Sequence, residues 1–163
     1  MNAGLLFYFA RKTSLCQKRL SRYTAYFELT VSSVKVCAKE NGMRSAMAQL
    51  LGALPVVFVV GGAESNRPAC ARLLFEILRI PLDSNGEPKG VLRLKGVDKT
   101  GYLIESMNQA IAVLPDVPDE LEAMLPQACE RLKQKFSLSG EPPAESEIDY
   151  AALVENSMSH NNY

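Results

Sequence analysis

The chain has no tryptophan and a single histidine, and none of its four cysteines forms a Cys-x-x-Cys pair. Each absence removes a class of function. Structural zinc sites need clustered Cys and His, whereas Cys16, Cys37, Cys70 and Cys129 are scattered. They read as buried reduced thiols, which points to a cytoplasmic location. His160 sits in a polar end segment, away from any motif, so His-centred catalysis is not expected. No apolar run is long enough to cross a bilayer. The early apolar run over residues 5–10 precedes the basic residues, the reverse of a secretory signal. Eighteen Lys and Arg balance eighteen Asp and Glu. Bulk charge therefore points to neither nucleic acid nor an anionic membrane as a partner.

What is present is an ordinary globular composition, 163 residues with 47% apolar side chains, enough for one domain with a real core. We place that domain at residues 1–136, followed by a polar acidic tail over 137–163. The tail carries Glu141, Glu145, Glu147, Asp149 and Glu155 without a Lys or Arg, and Ile148, Ala152 and Leu153 suit one short docking helix. The basic stretch Arg11, Lys12, Lys18, Arg19 and Arg22 reads as a solvated helix face. Apolar positions at Leu5, Leu6, Phe9, Leu15 and Leu20 suggest a helix over residues 3–22.

The strongest local signal is Pro55 to Gly62, PVVFVVGG. Its branched and aromatic run has no polar alternation, as in a strand covered on both faces of a parallel sheet. The two glycines let bare backbone approach a ligand, and ligands in open α/β sheets sit at the carboxyl ends of strands. Before it, Met43, Ala46, Met47, Leu50 and Leu51 make an amphipathic helical stripe. After it, Asn66 is placed as a helix N-cap and Pro68 in the first turn, with Cys70, Leu73, Leu74, Ile77 and Leu78 as the apolar face. A turn-rich loop over 83–90, short strands at 91–94 and 102–105, and a buried strand at 109–114 follow. A helix then starts near Pro118 with Asp119, Glu120 and Glu122 in its first turn, and Pro126 is expected to kink or divide it. Strands alternating with helices give an α/β class, a three-layer α/β/α arrangement on a mostly parallel sheet.

Two segments together resemble a known family. Gly101-Tyr102-Leu103-Ile104-Glu105, followed by Leu114-Pro115-Asp116-Val117-Pro118-Asp119-Glu120-Leu121 and Met124, resembles the end of the molybdopterin-binding domain. More narrowly, it is similar to the N-terminal domain of the competence/damage-inducible protein CinA, where a Gly-Phe strand leads into LPGVPxEMxxM. Glu40-Asn41 resembles the family's Asp-Asn, and PVVFVVGG its strand ending in Gly-Gly. The likeness spans roughly residues 34–136, and the family's first strand is not recognisable before residue 28. The family's acidic loop after the double glycine, GPTxDDxT, is here Ala63-Glu64-Ser65-Asn66-Arg67-Pro68-Ala69-Cys70, without either aspartate. Leu-Pro-Gly has become Leu114-Pro115-Asp116.

The resemblance implies a binding domain for a phosphorylated small molecule, a molybdopterin or a nucleotide, and a homo-oligomer. Gly61, Gly62, Ser65, Asn66 and Arg67 form the expected anion cradle, with Lys99 and Thr100 as a second polar contact. Glu64 and Asp116 are the candidate catalytic carboxylates. Loss of the aspartate pair points to weakened or lost catalysis, because such a pair holds Mg²⁺ and activates water. Two alternatives stand beside this reading. One is an enzyme, either a pyrophosphatase acting on ADP-ribose-like dinucleotides or a participant in molybdenum cofactor biosynthesis. The other is a non-enzymatic interaction domain, which an exposed Leu121, Met124 and Leu125 face favours.

Overall fold

The computed structural model describes residues 1–64 and 66–143. Ser65, His160 and the short helix expected around Ile148, Ala152 and Leu153 lie outside the described residues. In chain order the elements are β1 (Asn2–Tyr8), α1 (Thr13–Ala25), β2 (Thr30–Cys37), α2 (Glu40–Ala53), β3 (Val56–Gly61), β4 (Ala63–Glu64) and β5 (Arg67–Pro68). They continue with α3 (Cys70–Ile77), β6 (Leu92–Lys95), β7 (Thr100–Glu105), β8 (Ala110–Pro115) and α4 (Pro118–Phe136). Six strands form one sheet in the order β2-β1-β3-β8-β7-β6. The first four are mutually parallel, and β7 and β6 add on in antiparallel fashion. The expected three-layer α/β architecture is present.

The sheet centre follows from side-chain chemistry. Every residue of β3 and of β8 is buried, and each Val or Phe taken from water contributes about 1.5–3 kcal/mol. Successive residues point to opposite faces. Val56, Phe58 and Val60 pack in the cluster that holds Cys16 and Leu20 of α1 and Leu121, Met124 and Leu125 of α4. Val57 and Val59 pack with Met43, Met47 and Leu50 of α2 and Leu74 and Phe75 of α3. Leu121, Met124 and Leu125 are fully buried, so the exposed face favouring an interaction domain is absent.

Three sequence expectations change. Residues 3–22 are not one helix. Residues 3–7 are the buried core of β1, between β2 and β3 in the sheet, and α1 starts only at Thr13. A short apolar run with no Gly or Pro between it and the following basic residues fits both periods; here tertiary burial on both faces decides for strand. Asn66 caps no helix and Pro68 opens none. Ala63 pairs with Pro68 and Glu64 with Arg67 in a two-rung antiparallel ladder, and α3 begins at Cys70 after Ala69. Pro126 does not divide α4, which continues through it to Phe136. Pro126 lies on the exposed face. The left-handed Ser137 (φ 53°) ends the helix, as C-terminal residues in that conformation do.

The chain past α4 also packs further than its polarity suggests. Leu138 rests against the α1/α4 core, its N–H donates to the Lys133 carbonyl, and the Ser139 hydroxyl donates to the Glu28 carboxylate. The Met1 ammonium donates to the Glu28 carbonyl at 2.8 Å. Both ends of this packed region therefore meet beside Glu28.

Candidate ligand-binding cleft

The sheet order places a reversal at its middle. From β1 the chain crosses to β2 on one side and then to β3 on the other. In doubly wound sheets the crevice outside such a reversal is where ligands sit. An open cleft of about 720 Å³ lies there, lined by Tyr8, Phe9, Arg11, Gly62, Ala69, Lys99, Asp116 and Val117. Tyr8 ends β1, Gly62 follows β3, and Asp116 follows β8, so three neighbouring parallel strands deliver their carboxyl ends to one wall. Gly61 and Pro115 are register partners, and the Asp116 N–H donates to the Gly61 carbonyl at 3.0 Å. The double-glycine corner and the Leu114–Pro118 corner are thus side by side.

Asp116 holds this wall together. Its carboxylate Oδ2 accepts the Arg11 backbone N–H at 2.6 Å, and its carbonyl accepts the Cys16 thiol at 3.4 Å. One residue thereby fixes the β1–α1 loop, β3 and α1 relative to β8. Asp116 is only 8% exposed. Burial pushes the Cys16 thiol up to about 11, and the Asp116 charge adds to the effect. The Tyr8 phenol is also raised, first by burial and then by Glu40. Gly62 is required by close approach: a Cβ there would lie 2.7 Å from the Phe9 carbonyl. Gly61 is required in the same way, since its Cβ would meet the Cys70 sulfur.

Of the residues expected from sequence, the cleft collects Gly62, Asp116 and Lys99. Gly61 is buried behind it, under Cys70. Arg67 is turned away, its guanidinium 3.9 Å from the Glu87 carboxylate, which also accepts the Tyr102 hydroxyl at 3.2 Å. Thr100 faces the β5 turn, its N–H donating to the Asn66 carbonyl at 2.6 Å. Glu64 lies in β4, opposite Arg67. Asp119 pairs with Arg19, joining α4 to α1. Four lining residues were not expected at a site from sequence: Tyr8, Ala69, Val117 and Phe9, the last read as an apolar helix position and in fact 68% exposed. Arg11 was noticed only as part of a basic stretch.

Lys99 reaches the cleft because its turn is held from beneath. Glu120, 6% exposed, accepts three consecutive backbone N–H groups, from Val97 and Asp98 at 2.8 Å and from Lys99 at 3.3 Å. The sequence signal for this was Glu120 itself, assigned to the helix dipole alone.

No family profile and no curated protein matches the sequence. Solved structures do match in three dimensions. The protein CinA from Thermoplasma acidophilum, described as of unknown function, superposes with a TM-score of 0.65 at 14% identity, over 80% of this chain and 96% of that one. The molybdopterin biosynthesis enzyme MoaB from Thermus thermophilus superposes at 0.55 and 15%, over 86% and 98%. A molybdopterin biosynthesis protein from Mycobacterium abscessus gives 0.56 and 15%, over 83% and 96%. The chain shares the fold of these proteins. At these identities the likeness concerns the fold, and function rests on the residues of the site. In this fold β1, hidden from the sequence reading, supplies three of the cleft residues through its carboxyl end and the loop behind it. Among the described residues no helix is long and apolar enough to cross a membrane.

Proposed function

We infer that the chain binds a phosphorylated small molecule, a nucleotide or a pterin, in the cleft beyond β1, β3 and β8, and that it has weakened or lost catalysis. One observation carries the reading: Arg11 and Lys99 share the cleft with Ala69 and Val117, which immediately precede two helices, and Arg11 itself lies two residues before a third. Thr13 opens α1 two residues after Arg11, Cys70 opens α3 after Ala69, and Pro118 opens α4 after Val117. Unpaired N–H groups and the positive end of each helix dipole favour an anion there. The cleft volume lies in the range of small-molecule sites.

The loss of catalysis rests on the carboxylates. Among the described residues of the cleft a divalent cation has no fitting donor set: Asp116 already accepts the Arg11 amide. Among the described residues no three His, Cys, Asp or Glu gather to hold a metal ion. Asp116 on this reading is a wall and an anchor, and it keeps the anion on the Arg11 and Lys99 side.

The test is calorimetric titration of the full chain with pyrophosphate and AMP, repeated for Arg11→Ala and Lys99→Ala. Each substitution should weaken binding roughly five-fold, the size of a ~1 kcal/mol charge contact. Absence of binding at millimolar concentration for both probes refutes the reading. Release of AMP from ADP-ribose refutes the loss of catalysis.

A further inference from the structure

We propose that Phe9 is a stacking platform, so that the ligand lays a planar heteroaromatic ring on it, with its phosphate on Arg11 and Lys99. This deepens the anion-site reading and rests on it.

The case is that Phe9 contributes little to the fold. Its side chain is 68% exposed, so little of its apolar surface leaves water. Its backbone lies in the left-handed region at φ 51°, where Gly or Asn is favoured over a bulky residue. On both counts Asn suits the position better. Yet the position is firmly held. The Phe9 N–H donates to the Cys37 carbonyl at 3.1 Å, and the Gly62 N–H donates to the Tyr8 carbonyl at 3.3 Å. Two residues on, the Arg11 N–H is fixed by Asp116. The loop thus presents a large apolar ring to water at a defined place in the cleft wall. The Tyr8 ring lies 6.1 Å away, tilted by 54°, and backs the platform. Arg11 and Lys99 border the same space. A ring on Phe9 with an anion on those two charges describes a nucleotide or a pterin phosphate. Stacking accepts any base, because every base has a π-face.

Full-length chain is titrated with AMP and with ribose 5-phosphate, which keeps the sugar phosphate and lacks the ring. AMP should bind roughly 5- to 100-fold more tightly, the worth of one stacked base. Phe9→Asn should abolish that preference, leave ribose 5-phosphate affinity unchanged, and leave Tm unchanged or higher. Phe9→Trp should keep the preference. Equal affinity of the two ligands in the wild-type chain overturns the stacking role and leaves the anion site standing. Persistence of the AMP preference in Phe9→Asn does the same. A lower Tm in Phe9→Asn shows a packing role and also overturns it. Binding of neither ligand overturns both readings.

Discussion

Replacing Glu120 with Gln isolates a single carboxylate that holds a turn by three amides. The two oxygens divide the work: Oε2 accepts from Val97 and Lys99, and Oε1 from Asp98. Gly96 lies so close that a Cβ there would overlap Oε2, so the turn cannot shift to accommodate a new group. Glutamine keeps one acceptor and places its NH₂ against at least one N–H. One charge-assisted bond, worth about 1.5–3 kcal/mol, is lost, and the others become neutral and weaker. The net cost is about 3 kcal/mol, or about 9 °C in Tm for a domain of this size. Circular dichroism melting at pH 7 measures it. Hydrogen exchange at Val97, Asp98 and Lys99 should accelerate in parallel. Because Lys99 closes this turn, pyrophosphate affinity should fall as well, although Glu120 does not line the cleft. A Tm within 2 °C of wild type, with unchanged exchange, refutes the argument.

The buried thiols predict an alkaline limit. Burial raises Cys70 and Cys129 to about 12 and Cys16 to about 11. The fold favours the neutral thiols, so their contribution is intact below the unfolded value near 8.5 and is lost as pH rises toward the folded values. The loss is up to about 1.4 kcal/mol per pH unit for each thiol. Urea midpoints between pH 7 and pH 10 should fall, and the fall should be shallower in Cys129→Ala; an equal slope refutes the assignment. Gly61→Ala should cost about 1–3 kcal/mol by overpacking against Cys70. In a Cys70→Ala background the contact with the sulfur is gone and part of that cost should be recovered; equal costs in the two backgrounds would show that the clash does not matter.

The centre of the fold was legible because its residues leave one reading. Val56 to Val60 and Ala110 to Leu114 are apolar throughout, and only a strand covered on both faces suits a branched run of that length. Met43, Met47 and Leu50 name the face of α2 in the same way. The amino-terminal strand was not legible. Leu5, Leu6 and Phe7 lie close to basic residues that continue a plausible helical period, and no Gly or Pro stands between them. The break is made by Phe9 and Lys12, both at φ 51°, a conformation that their chemistry does not announce. That misreading hid three of the eight cleft residues, because Tyr8, Phe9 and Arg11 enter through β1 and the loop after it. The acidic-loop region was misplaced for a related reason. Asn66 and Pro68 have the composition of a helix start, but the β4–β5 ladder delays that start to Cys70, and Arg67 turns toward Glu87.

The meeting of Met1 and Ser139 at Glu28 has an architectural consequence. Met1 and Glu28 precede β1 and β2, so this point belongs to the rim from which the parallel strands depart, opposite the crevice they run toward. A protein module joined before Met1 or after residue 140 would hang beneath the floor of the sheet and leave the mouth above open to diffusing solutes.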